Sequence, residues 1–228
     1  MSAVTTLLAK ARQVYLSEGP GALLKRGLAF ALGQVFRYER YCLCAHFLDG
    51  ERGTDAPVLA PGISDLKHMI VFGNEEADRL EAEGYEFRSY ALNGRERLEK
   101  GAAALCVFAG HELVNIVWIA MSQEARRSLG EPPYEVDFSK HEVAVGGGWT
   151  NPRYRRMGLR VYGHAVGSRF LQANGVLTSR YAIARRNTTA LSSTARVGVH
   201  VYGEGRYLRI LWWESWKERP LALESAER

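Results

Sequence analysis

"NPRYRRMGLRVYG", residues 151–163, sets four arginines around Gly158 and runs directly into a helical pattern. Upstream, "FSKHEVAVGGGWT" (138–150) reads as a strand in which three consecutive glycines remove the side chains. Glycine inside a strand marks a bulge or a close approach of something else to the backbone. Downstream, Leu159, Tyr162, Val166 and Phe170 fall on one face of a helix that stops at Asn174 and Gly175. A turn that hands a strand to a helix leaves the first four helical N–H groups without partners, at the positive end of the helix dipole. With Gly158 letting the backbone come close, the amides of Met157, Gly158, Leu159 and Arg160 can donate to an anion while Arg155 and Arg156 add charge. The stretch predicts a turn that holds phosphate.

Charge along the chain agrees. The 228 residues carry a net charge of +5, but it is segregated. Residues 1–48 carry +4, 49–142 carry −8, 143–203 carry +9 and 204–228 balance. From Val143 to Gly203 every charged residue is arginine, whose planar fork matches phosphate oxygens. A composition of 46% hydrophobic and 24% charged residues is that of an ordinary globular protein and excludes a disordered or fibrous chain. Cys42, Cys44 and Cys106 have neither a disulfide-framework nor a zinc-site spacing, which predicts a reducing, cytoplasmic setting and no metal, with Cys44 and Cys106 as inert packed thiols in apolar surroundings. No signal-peptide pattern or window of 18 to 20 apolar residues occurs.

The remaining pattern predicts helices over 5–40, broken at "EGPG" (18–21), then a turn-rich linker at 49–62, so residues 1–60 form a helical extension and 61–228 the main domain. Within that domain the expected order is an acidic helix capped by Asn74, a strand at "YEFRSYAL", a helix between Asn93 and Gly101, and a hairpin turning at Gly110. After the glycine-rich strand and the Gly158 helix come a strand at "VLTSRYAIA", a helix capped by Asn187, and a terminal hairpin. The Walker, dinucleotide-fold, zincin and nucleophile-elbow strings are all absent.

"TNPRYRRMGLR" (150–160) resembles the acyl-CoA-binding signature of the GCN5-related N-acetyltransferase (GNAT) superfamily, with its core on Arg155 to Arg160. Arg160 stands where the family has a small residue, and Arg156 where glycine is common. "NTTALSSTARVGV" (187–199) resembles a second family segment, with Asn187, Ala190 and Gly198 in register and Thr194 where a tyrosine is usual. The resemblance covers about residues 65–216 and implies an α+β fold: a mostly antiparallel twisted sheet of six to seven strands flanked by helices. It also implies an acyl-CoA-dependent N-acyltransferase that uses acetyl-CoA or another acyl-CoA and no metal, an amine attacking the thioester directly. Trp149, Thr150, Arg155, Arg156, Met157, Gly158, Leu159, Arg160 and Asn187 would hold the coenzyme, with backbone amides of 146–150 beside the pantetheine.

The amine must lose a proton, which calls for a base. Of His141 and Glu142, which alternation sends to opposite faces, Glu142 is the candidate, with Glu135 and Asp137 behind it. Tyr202, or else Tyr181, is the candidate acid for the leaving sulfur. The acceptor would be a primary amine of a small molecule or an envelope precursor, met by residues 60–75, the 122–138 loop and the hairpin bearing Trp212, Trp213 and Trp216. Two other readings remain open. The arginines interleaved with Tyr154, Tyr162, Phe170 and Tyr181 could track nucleic acid, although those aromatics fall at core spacing. Residues 1–45 could dock on the inner face of a membrane, and a homodimer is compatible with the sequence.

Overall fold

The computed structural model describes Gly21 and residues 35–48, 61–91 and 93–221. The strands are β1 (Phe36–Phe47), β2 (Leu66–Phe72), β3 (Ala102–Ala109), β4 (Glu112–Ala120), β5 (Glu142–Thr150), β6 (Thr178–Ala184), β7 (His200–Ile210) and β8 (Trp213–Pro220). Among the described residues the helices that follow β2 are α1 (Asn74–Ala82), α2 (Gly94–Glu99), α3 (Gln123–Ser128), α4 (Leu159–Ala173) and α5 (Thr188–Ala195). All eight strands join one sheet in the order β2-β3-β4-β5-β6-β1-β7-β8. β1 with β6, β2 with β3, β3 with β4 and β4 with β5 pair antiparallel, and β5 with β6 run parallel.

The chain divides into two compact units, Arg40–Gly205 with Glu218–Arg228, and Met1–Glu39 with Arg206–Lys217. In the larger, β3 (AAALCVFA) is buried nearly end to end, which is why its sequence is a continuous apolar run instead of an alternation. Leu105 and Ala103 of β3 pack with Ile119, Val143, Val145 and Leu171 in one core cluster, and Val107 packs with Val114, Leu159 and Tyr162 in another. In the smaller unit the Arg37 guanidinium lies 5.4 Å from the Tyr207 ring centroid and the Leu211 amide donates to the Val35 carbonyl at 2.6 Å.

Helix α4 comes close to the sheet because its inner face carries glycines. A Cβ on Gly167 would lie 3.1 Å from Leu105 Cδ2, and one on Gly163 would lie 2.9 Å from Asn115 Oδ1. Asn115 in turn donates to the Trp149 carbonyl at 3.1 Å and to Thr150 Oγ1 at 2.8 Å, pinning the end of β5 where it enters the arginine turn. Sequence, helix seat and loop position are thus linked through one amide side chain.

Several expectations are corrected. The helices expected up to residue 34 lie outside the described residues, apart from Gly21, but from Phe36 the chain is a strand, which raises the sheet from six or seven strands to eight. The strand expected at "YEFRSYAL" is an extended stretch and a 3-10 turn (Arg88–Tyr90): Arg88 is drawn inward to a buried ion pair with Glu81 and Asp78, and the edge strand is β2 instead. Gly73 caps α1 with φ 86°, while the Asn74 side chain bridges to Arg88 and Arg95. No described helix is long and apolar enough to cross a membrane.

Because Asn115 cannot keep both contacts if its neighbour grows, Gly163→Ala should destabilise the fold by about 1–3 kcal/mol, read as a lower urea midpoint with an unchanged slope.

Candidate active site

Strands β5 and β6 share only three parallel pairs, Glu142 with Thr178, Val143 with Ser179 and Ala144 with Arg180. Beyond them β5 continues to Thr150 and β6 to Ala184 without further ladder pairs, so the two strands part, and the gap between them is the candidate cleft. On its other edge β5 slips register against β4 between Ile116 and Trp118, with Gly147 at φ 60° in the bulge. Glycine alone adopts that conformation cheaply. The three-glycine run is therefore a bulge on the strand that borders the cleft.

The arginine turn follows. Asn151 Oδ1 accepts from the Arg153 amide at 3.1 Å and opens a 3-10 turn, Pro152–Tyr154. Arg156 lies at φ 66° and Gly158 at φ 81°, and Gly158 is the N-cap of α4. No side chain caps that N-terminus, its first turn holds no acid, and a Cβ on Gly158 would meet nothing within 4 Å. Arg155, Arg156, Met157, Gly158 and Arg160 are exposed, whereas Leu159 is buried and anchors the helix. The turn thus offers uncapped amides and guanidinium groups to solvent, as a diphosphate requires. The predicted helix start is where the chain places it.

Other predicted residues are dispersed around the parting. The Trp149 ring sits 4.8 Å from that of Tyr90, and Thr150 is held by Asn115. Asn187 accepts from the Ala190 amide at 3.1 Å, capping α5 as expected. The Thr194 hydroxyl is turned inward to the carbonyls of Ala190 and Leu191. Glu142 is buried, one carboxylate oxygen ion-paired with Arg180 and the other accepting from the Asp137 amide at 2.9 Å. Arg180 also lies over the Tyr202 ring, 4.8 Å from its centroid, so the structure brings Glu142 and Tyr202 together through this guanidinium. Burial first raises the Tyr202 hydroxyl above its ordinary value, with Arg180 opposing. Asp137 is spent on Ser139 and Lys140, and the Glu135 amide donates to Glu218.

Two groups that sequence reading missed lie at the cleft. Glu131, in the loop after α3, accepts from the Gly147 amide at 2.8 Å, and its carboxylate occupies the space a Cβ on Gly146 would need, 2.6 Å away. Tyr134, three residues on, donates to the Arg180 carbonyl at 3.3 Å. Residues 131–134 thereby tie the bulge of β5 to Arg180, the last paired residue of β6. The signal available was the glycine run: something had to fill the side-chain space it vacates. The second is His164 on α4, within 3.4 Å of both the Tyr181 hydroxyl and Ser168 Oγ, its ring 4.7 Å from that of His46. Burial, then His46 and Arg160, pushes His164 down to about 3, and burial pushes Tyr181 up to about 12.

No family model and no curated protein matches the chain. Among solved structures, a GCN5-related glucosamine N-acetyltransferase region of a fungal multi-domain GH3 beta-N-acetylglucosaminidase superposes with a TM-score of 0.54 at 12% identity, over 84% of this chain and 23% of that one. A GCN5-related N-acetyltransferase from Kribbella flavida gives 0.45 at 16% identity, over 80% and 63%. One from Sphaerobacter thermophilus gives 0.45 at 14%, over 89% and 58%. The chain therefore spans less than two thirds of each. The first likeness, with the parted parallel strands and the bulge, fixes the class: this chain has the GCN5-related N-acetyltransferase fold.

Two outcomes follow from these contacts. Glu142→Gln leaves Arg180 without its buried counter-charge and should cost about 3 kcal/mol, measured by thermal or urea unfolding. The unfolded chain protonates His164 near its ordinary 6.5 while the folded chain refuses the proton until about 3, so folding stability falls as pH drops through that window. His164→Gln should remove up to about 1.4 kcal/mol per pH unit from that slope, seen in urea midpoints between pH 6.5 and 4.

Proposed function

We propose that this protein is an acyl-CoA-dependent N-acyltransferase, moving an acetyl or other acyl group from a CoA thioester to a primary amine. The observation that carries the reading is the uncapped start of α4 at Gly158, set among Arg155, Arg156 and Arg160, one loop beyond a strand that has parted from its parallel neighbour. The acyl donor supplies an activated carbonyl and a thiol leaving group. The chain's part is to bind the diphosphate through the amides of Met157, Gly158, Leu159 and Arg160. The arm of the donor would run along the freed edge of β5, beside Trp149 and Thr150. Asn187, by fixing the start of α5, shapes the far wall.

The acceptor in this reading is a small-molecule or envelope-precursor amine. Because the fungal region named above is a glucosamine N-acetyltransferase, an amino sugar is the first acceptor to try. The nucleic-acid reading loses support from the aromatics themselves. Tyr162 projects from α4 into the core, Tyr181 and Phe170 pack against the core beneath that helix, and Tyr154 is held by its hydroxyl on Glu112 at 2.9 Å with Arg153 5.8 Å from its ring centroid, so these aromatics form no open row on which bases could stack. In this reading Tyr202, whose phenol is protonated at neutral pH, is the candidate to protonate the leaving sulfur.

Acetyl-CoA in excess should raise the melting temperature by mass action on the folded state. Replacing Arg155 and Arg156 together with alanine should weaken the apparent affinity by about 10- to 100-fold, the worth of charge-assisted bonds to phosphate. Equal affinity in the double variant would remove the loop from the site.

A further inference from the structure

Ile210, Leu211, Trp212 and Trp213 close the hairpin of β7 and β8, four large apolar side chains in succession, all exposed, with Trp212 at 88% of its full accessibility. Strand residues ordinarily alternate between a packed and a wet face, and turn residues are polar. This tip does neither. Its backbone is unfavourable as well, because a two-residue turn with positive φ at its first position ordinarily takes glycine there, and the position holds Leu211 at φ 56°. The Leu211 amide donates to the Val35 carbonyl at 2.6 Å. That bond is made by backbone alone and leaves the Trp212 side chain in solvent. Strained backbone and exposed apolar surface kept together at one spot mark a surface that is covered in use.

We propose that this hairpin tip seats in the headgroup layer of an anionic lipid bilayer, with Trp212 foremost and Leu211 and Trp213 beside it. Seating on lipid and binding of CoA are separate properties, so the proposal stands apart from the acyl-transfer reading.

Two features favour a lipid surface over a protein partner. The first is charge. Residues 1–39 with 206–217, the smaller compact unit, carry eight Lys and Arg against three acids, so their +5 equals the net charge of the whole chain and the larger unit is neutral. Among the described residues of the smaller unit, Arg37, Arg206, Arg209 and Lys217 stand against Glu39 and Glu214. The Glu214 carboxylate accepts from the Tyr207 hydroxyl, and Arg37 and Arg209 act on that same hydroxyl. The one acid next to the tip is thus held among cations. Basic residues behind an aromatic tip attract anionic headgroups, and tryptophan, apolar in body with one N–H donor, settles at the level of those headgroups.

The second feature is size. Val35 and Phe36, also exposed, continue the apolar end onto β1, the strand beside β7, so the patch is three strands and about 10 Å wide. A stable protein interface needs about 800 Å² on each side. A peripheral anchor needs only about 5–10 Å of insertion at the boundary between headgroups and acyl chains, which a narrow tip can reach.

The test uses the full chain with no acyl donor, floated with vesicles of phosphatidylcholine and phosphatidylglycerol and, in parallel, with vesicles of phosphatidylcholine alone. Wild type should rise with the anionic vesicles, its tryptophan emission should shift to the blue as the tip leaves water, and added salt should weaken the binding. Leu211→Gly combined with Trp212→Ser should weaken it by about 10- to 100-fold, the transfer worth of two such side chains partly buried. Trp212→Phe should keep most of it. Glycine suits the backbone at 211, so the double variant should unfold near the wild-type urea midpoint, which separates lost docking from lost fold. If wild type floats with neither vesicle, or if the double variant floats as well as wild type, the tip is no lipid anchor. If light scattering shows wild type self-associating and the double variant monomeric, with no vesicle binding by either, the tip meets a second copy of this chain and the proposal is wrong.

Discussion

Three parallel backbone pairs are all that join β5 to β6, and the site depends on their stopping at Ala144 and Arg180. A fourth pair would close the cleft; without the three, the arms would have no common root. Side chains at the junction decide the matter. Glu142 and Arg180, neighbours across it, neutralise each other in a buried setting, and the Tyr202 ring covers the guanidinium. Beyond it the glycine run gives β5 a bulge on its β4 edge, and a bulged strand bends and twists away from regular pairing. The divergence is thus a property of particular residues at the root and of missing side chains just above it.

Each feature around the cleft then has a cause at the level of single contacts. Asn115 holds the end of β5, and the glycines of α4 let that helix lie near enough for the amide to reach. The helix therefore begins where the strand ends, with its uncapped amides beside the freed edge. Glu131 and Tyr134 tie the β5 bulge to the root of β6, in a loop shaped by Arg97 and Arg126 reaching its backbone carbonyls. Buried arginines are expensive to desolvate, and here two helices spend one each on holding the shape of this loop.

Much of this could be read from residues alone, for physical reasons. The Gly158 helix start, the Asn187 cap, the Gly110 turn and the Asn174–Gly175 stop are local signals, each decided by one residue's backbone preferences or one short-range hydrogen bond. Where reading failed, the deciding contact was distant in sequence. Phe36–Phe47 became a strand because β6, some 140 residues on, offers it an edge, as with Tyr41 opposite Ala184. "YEFRSYAL" has the composition of a strand, but Arg88 is claimed by Glu81 and Asp78 of the preceding helix. The ion pair of Glu142 with Arg180, 38 residues away, likewise carries no local mark. Glu131 carried no local mark, and only the vacancy left by Gly146 points to it.

Amide hydrogen exchange with and without acetyl-CoA tests the central claim most directly, because it reads the backbone groups said to do the binding. Slower exchange should appear in two separate segments, Met157 to Arg160 and Val145 to Thr150, with little change in the far strands β2 and β8. Protection elsewhere, with both segments exchanging as fast as before, would contradict the account.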